Sequence, residues 1–323
     1  MNPRAILVIM LRRIGDVLLT TPAVRALRKL YPEARIDFLV DPPAHQLLEG
    51  VPEISNVIVR EGSGPANYVY WLWRMRRNGY DWVIDYMGTP RTAMLTFASG
   101  ASLRAGPAQV SHRWAYNRLL RESSAPCYSG LEKIRVLSSL GLSPDESDFL
   151  PRLPGERKRP PGLLVGFAPA SRRETRRWPA ARFAELGRLL RDRLGASLLV
   201  FWGPGEKALA EEVCRGVGDG AHVAPETKDL RRLCDLIGGL SLLVSNCNGP
   251  KHIAVARGVP TLTIHGSSDP ACWTPPGGGP HRCVRREELP CIGCSLNRCP
   301  SGMSCLRGLG ADRVFDVAKD MLR

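Results

Sequence analysis

Three short stretches of this chain combine residue types that could do chemistry. In Arg12-Arg13-Ile14-Gly15-Asp16 a carboxylate opens an apolar helical run with two guanidiniums beside it. Such a group faces the presumed cleft from a helix start, or is a plain helix-start carboxylate favoured by the dipole. In "FAPASRRETRRWPAARF" an arginine-rich loop separates an apolar strand pattern from a helical one, and guanidinium forks bind phosphate oxygens in pairs. The plain alternative is a solvated basic loop. In "SNCNGPKHIAVARGVP" Gly249 and Pro250 start a helix, whose unpaired N–H groups attract anions. Lys251 and His252 in its first turn are expected to add positive charge, and the plain alternative is an ordinary capped helix. A fourth stretch, "FWGPGEKALAEE", is a glycine turn opening a helix, with Glu206 able to accept from a ribose or sugar hydroxyl.

A different chemistry is suggested further on. Cys291, Cys294, Cys299 and Cys305 follow one another as C-x2-C-x4-C-x5-C, with Cys283 upstream. Close thiols in a chain expected to stay in the cytoplasm read as a tetrahedral zinc or iron–sulfur site more readily than as disulfides, although paired-knuckle spacing is missing. The other cysteines, Cys127, Cys214, Cys234, Cys247 and Cys272, read as small buried residues.

The elements that must position these residues alternate. "AILVIML", "ARIDFLV", "NVIVR" and "YDWVIDYMG" read as buried strands, separated by helical patterns that include "GDVLLTTPAVRALRKLYP" and the basic-aromatic "YVYWLWRMRRNGY". Pro, Gly and charge take over in residues 142–162, the expected linker. Alternation resumes with "GLLVGFAPAS", "AARFAELGRLLRDRLG", "ASLLVFWGPG", "EKALAEEVCRGVG", "DLRRLCDLIGGLS", "LLVSNCNG", "PKHIAVARGV" and "PTLTIHGSS", and "ADRVFDVAKDMLR" is an amphipathic last helix. The expectation is α/β: two Rossmann-like domains, residues 1–155 and 156–323, with parallel sheets facing a central cleft. Whether the last helix crosses back to the first domain stays open.

The 323 residues suit two cores, and a hydrophobic content of 44% suits a packed soluble protein. No apolar run is long enough to span a bilayer, and the first residues lack the features of a signal peptide, so a cytoplasmic protein is expected. A formal charge of +14 suggests an acidic partner such as nucleic acid, an anionic membrane face or a phosphorylated substrate. An arginine-rich compositional habit is the bland reading. Nucleic acid is disfavoured because no recognition motif accompanies the charge. A G-x-G-x-x-G fingerprint is absent after the first strand, which disfavours a dehydrogenase.

The motifs "RRIGDVLLTTPAVRALRKLYP", "YDWVIDYMG", "RRWPAARFAELGRLL", "WGPGEKALAEEV" and "VSNCNGPKHIAVARGVPTLTIHGSSDPACWTP" resemble, in order, the family-9 glycosyltransferases, the heptosyltransferases of lipopolysaccharide assembly. The resemblance implies a GT-B fold, with an acceptor-binding N-terminal domain and a nucleotide-sugar-binding C-terminal domain. It implies inverting transfer of a sugar, heptose from ADP-heptose, to a phosphorylated, lipid-linked saccharide of the lipopolysaccharide core, on the inner face of an anionic membrane, with no cofactor for catalysis. Asp16 falls on the family's general base, with Arg12 and Arg13 on the acceptor side. At a helix start it is expected to titrate low, and to take its proton late. Arg176 falls on the basic residue that neutralises the leaving diphosphate. Ser171, Arg172, Gly203, Glu206, Cys247, Asn248, Gly249 and His252 fall in donor-contacting segments. The chain departs from the family where Cys247 replaces an aspartate of N-D-T-G, which leaves three alternatives: another nucleotide-sugar and polysaccharide, or a non-catalytic nucleotide-sugar or nucleic-acid binder. Similar cysteines recur in some members, as a structural clip.

Overall fold

Strand β1 (Ala5–Ile9) is apolar and buried at every position, the signature of a strand covered on both faces. Its alternate residues go to two cores. Ala5, Leu7 and Ile9 pack on one side, and Ile6 and Val8 on the other. In this computed structural model, which describes residues 2–323, β1 lies inside a six-stranded parallel sheet ordered β3-β2-β1-β4-β5-β6. The other strands are β2 (Arg35–Val40), β3 (Asn56–Val59), β4 (Trp82–Asp85), β5 (Leu103–Pro107) and β6 (Arg118–Leu120). Helices α1 (Ile14–Leu30) and α4 (Ser129–Arg135) pack against each other, as do α2 (Pro65–Arg77) and α3 (Pro90–Ala98). Trp71 and Met75 of α2 and Leu95 of α3 join the core of Leu7 and Ile9, so these two helices share a face of the sheet.

Helix α1 survives an internal proline. Pro22 cannot donate to the carbonyl of Leu18, and the Thr21 hydroxyl donates to it instead at 2.8 Å.

The second half repeats the plan, with a sheet ordered β12-β11-β10-β7-β8-β9. Its strands are β7 (Leu164–Ala168), β8 (Ser197–Val200), β9 (Ala221–Val223), β10 (Leu242–Asn246), β11 (Thr261–Ile264) and β12 (His281–Val284). Its helices are α5 (Ala180–Leu194), α6 (Lys207–Val217), α7 (Leu230–Gly238), α8 (Gly249–Ala256), α9 (Pro270–Trp273), α10 (Ser304–Arg307) and α11 (Ala311–Met321). The last helix does not cross back. Ala311, Val314, Phe315 and Ala318 of α11 enter the core with Phe183 and Leu186 of α5, inside the second unit.

Two compact units result, residues 1–154 and 155–323. The segment expected to be a linker is held at both ends. Arg25, nearly buried in α1, bonds Asp148 and the carbonyl of Leu150, and pairs with Glu53 at 3.0 Å. On the other side Arg157 donates to the carbonyls of Gly238, Leu240 and Gly258, and Arg257 to those of Gly155 and Glu156. The change from one unit to the other therefore takes a few residues. No helix among the described residues is long and apolar enough to cross a membrane.

Candidate active site

In each sheet the strand order reverses between two central neighbours, β1 and β4 in the first and β7 and β10 in the second. Loops leaving the carboxyl ends of such strands diverge and open a crevice, the usual ligand position in doubly wound folds. Asp16 follows β1, the arginine-rich loop follows β7, and Asn248 and Gly249 follow β10. The sequence motifs therefore converge on the two switch points.

Asp16 is half-buried in the first turn of α1, after Arg13, which adopts a left-handed φ of 42°. Its pKa is raised above the ordinary value, contrary to the expectation from helix position. Burial is the dominant cause, and the positive charges of Lys133, Arg13 and Arg12 oppose it. Lys133 is a residue that sequence reasoning missed. It comes from α4, more than a hundred positions away, and its ammonium sits over the ring of Tyr86 at 5.0 Å. Burial lowers the pKa of Lys133, against the charges of Asp16, Glu122 and Glu132. Lys133, Tyr86, Glu122 and Glu132 line a cavity of about 80 Å³. The next loop is held by Asp85, fully buried at the end of β4. Its carboxylate accepts from the N–H groups of Met87 and Gly88 and from the Tyr116 hydroxyl at 2.7 Å. Arg12 and Arg13 are both exposed.

At the second switch point two asparagines join the loop after β7 to the start of α8. Asn246 donates to the carbonyl of Pro169 at 2.6 Å and accepts from the N–H of Trp178 at 3.1 Å. Asn248 donates to the carbonyls of Ala168 and Ala170, and its oxygen caps α8 by accepting from Lys251 N–H at 3.3 Å. Asn248, expected to contact the donor, thus spends its side chain on positioning the loop. Within that loop Ser171 is buried, and its carbonyl accepts from Arg177. Arg172 is exposed. The Nε of Arg176 is buried without a hydrogen-bond partner. Glu206 accepts from the N–H of Gly203 at 3.0 Å, which fixes the carboxylate over the glycine turn.

The positive charge expected from Lys251 and His252 is not delivered to the helix start. Lys251 is fully buried and turns its ammonium to the carbonyl of Trp273 and the hydroxyl of Thr274, in surroundings that push its pKa down to about 8. His252 is buried with its ring edge-on to Trp273, and burial followed by the Lys251 charge holds its pKa well below the ordinary value. It is a neutral ring with an unpartnered Nδ1. What remains at the helix start is its N–H groups and dipole. Cys247 is buried beside Lys251, whose pKa its charge would raise.

The cysteine cluster does not form an assembled ligand set. Among the described residues no group of three or more His, Cys, Asp or Glu side chains could hold a metal ion. Cys291 and Cys294 are exposed, the sulfur of Cys299 accepts from Met303 N–H at 3.3 Å, and Cys305 is half-buried at the helical turn α10. Burial first, and then the charges of nearby Cys299 and Cys291, raise the pKa of Cys305, so these thiols are neighbours in the fold. Of the scattered cysteines, Cys234 and Cys247 are buried, whereas Cys127, Cys214 and Cys272 are half-buried.

The model of glycosyltransferase family 9 (heptosyltransferase) matches residues 71–301. The chain belongs to glycosyltransferase family 9. It is 24% identical over 296 residues to lipooligosaccharide heptosyltransferase 2 of Haemophilus ducreyi, covering 81% of this chain and 83% of that one. The crystal structure of a family-9 glycosyltransferase from Veillonella parvula superposes with a TM-score of 0.84 at 25% identity, covering 99% and 97% of the two chains. An Escherichia coli heptosyltransferase with ADP-2-deoxy-2-fluoro heptose gives 0.73 at 21% identity, over 98% and 99%. The protein is thus a glycosyltransferase enzyme of the GT-B fold class.

Proposed function

We propose that this glycosyltransferase is an inverting heptosyltransferase, moving heptose from ADP-heptose to a phosphorylated saccharide of the lipopolysaccharide core. Support for the sugar comes from relatives named for heptosyl transfer that align over four fifths of the chain. The observation that carries the chemistry is Asp16, a half-buried carboxylate with a raised pKa at the β1 switch point. In this reading Asp16 takes the proton of an acceptor hydroxyl as its oxygen attacks the anomeric carbon, and the nucleoside diphosphate leaves from the opposite face with the bonding electron pair. The raised pKa makes the carboxylate a better acceptor for that proton than an ordinary aspartate. Arg176, with Ser171 and Arg172 beside it, and the N–H groups at Gly249 take up the charge of the leaving diphosphate. Glu206 on its glycine turn faces the ribose. The protein would work as a peripheral protein on the inner face of the cytoplasmic membrane, where the acceptor lies.

Cys247 favours a second reading, a different donor sugar. A thiol is a weak hydrogen-bond partner where a carboxylate is a strong one. A panel of ADP-, UDP-, GDP- and CDP-sugars, run on the native enzyme and Cys247→Asp, tests both. The expected result is transfer from ADP-heptose. For Cys247→Asp, ADP affinity should stay within about threefold and donor ranking should change by about tenfold or more. Loss of ADP affinity with unchanged ranking would place Cys247 on the phosphate instead.

A further inference from the structure

We infer that the outer face of α2 and α3, with Trp114, is the surface by which this protein lies on an anionic phospholipid bilayer. The inference deepens the functional reading, which brings the enzyme to a lipid-linked acceptor, by naming the surface that does so. Among the described residues seven large hydrophobic side chains are exposed, and five of them are here: Val69, Tyr70, Trp73, Phe97 and Trp114. Trp73 is 53% exposed and Trp114 57%, in a protein that otherwise buries its large apolar groups well. Their placement follows from the fold. Trp71 and Met75 of α2 and Leu95 of α3 face the sheet, while Val69, Tyr70 and Trp73 of α2 and Phe97 of α3 are exposed.

Charge surrounds these rings. Arg77 stands over Trp73 at 5.0 Å, Arg74 over Trp71 at 4.8 Å, and Arg104 over Phe97 at 5.8 Å, while Phe97 and Trp114 meet edge to face at 5.3 Å. The Arg76 guanidinium lies against Gly100, just after α3. From residue 62 to residue 121 the chain has eight arginines and two acidic residues, Asp81 and Asp85. Neither acid opposes that charge at the surface. Asp85 is fully buried, and Asp81 accepts from the N–H groups of Arg4 and Ala5.

The partner must therefore accept both apolar rings and a dense positive rim. An anionic bilayer does, because amphipathic Trp and Tyr settle at headgroup level while arginines meet lipid phosphates. Val69 and Phe97 have no counterpart on a nucleic-acid backbone, but fit the acyl boundary.

The test is flotation of the full chain with phosphatidylcholine vesicles, with and without phosphatidylglycerol. Binding is expected only to the anionic vesicles and to weaken as salt is raised. Trp73→Ser with Trp114→Ser, and separately Arg76→Glu with Arg77→Glu, should each lower partitioning by about tenfold or more, with unchanged melting temperature. The vesicles carry no saccharide acceptor, so binding is read independently of transfer, and transfer to a delipidated acceptor should be unaffected by either pair. Binding that is equal on neutral vesicles, or untouched by the variants, would overturn the inference. So would a dimer of this chain that disappears with Trp73→Ser.

Discussion

Asp16 shows how much one side chain's chemistry depends on groups the local sequence does not name. Helix position lowers a carboxylate's pKa, but burial outweighs it here, and Lys133 then offsets part of the burial. Asp16→Asn should therefore lower transfer by about 10² to 10⁴-fold, the usual contribution of a general base, with ADP binding unchanged by calorimetry. Turnover within tenfold of the native enzyme would reduce Asp16 to a helix-start carboxylate. Lys133 makes a separate prediction. Its positive charge favours the ionised form of Asp16, so removing it in Lys133→Met leaves burial less opposed, by Arg12 and Arg13 alone, and raises the pKa further. The acid limb of the kcat/KM profile, set by the fraction of ionised Asp16, should then move to higher pH, and Lys133→Arg should restore it. A limb that stays in place would show that Lys133 does not act on the base.

At the level of elements, the second switch point is a joint between the loop after β7 and the start of α8, made by two asparagine side chains. Asn246 is fully buried and pairs a carbonyl and an N–H that are themselves buried. Asn246→Ala would leave Pro169 and Trp178 backbone groups unsatisfied, each costing about 1 to 3 kcal/mol. Urea denaturation should show that loss, and ADP binding should weaken in parallel because Arg176 sits on the loop being held. Full stability with weakened ADP binding would place Asn246 on the ligand. Strands also differ in how plainly the sequence reveals them. β1, β2, β7 and β10 are long and apolar, and read plainly. β6, β9 and β12 stand at sheet edges, are three or four residues long, and contain Arg or His, so no apolar run marks them.

For the whole molecule, the proposed function puts the donor nucleotide on the second unit and the catalytic carboxylate on the first. Hydrogen exchange with ADP should show protection concentrated in residues 168–179 and 246–256, with little change around residues 12–20. Equal protection at Asp16 would put the nucleotide on the first unit. The repeated alternation of strand and helix, the loops bearing Asp16, Arg176 and Gly249, and the proline-rich passage between the halves were all legible in the sequence, because periodicity and turn residues are local properties. The ionisation of Asp16, the inward turn of Lys251 and His252 and the structural use of Asn248 were not. Each depends on what distant elements bring alongside: α4 beside α1, the Trp273 carbonyl beside α8, and the β7 loop beside β10. Spacing along the chain selects residues that could meet, while burial and the direction of each side chain, fixed by tertiary packing, decide which ones do and in what charge state.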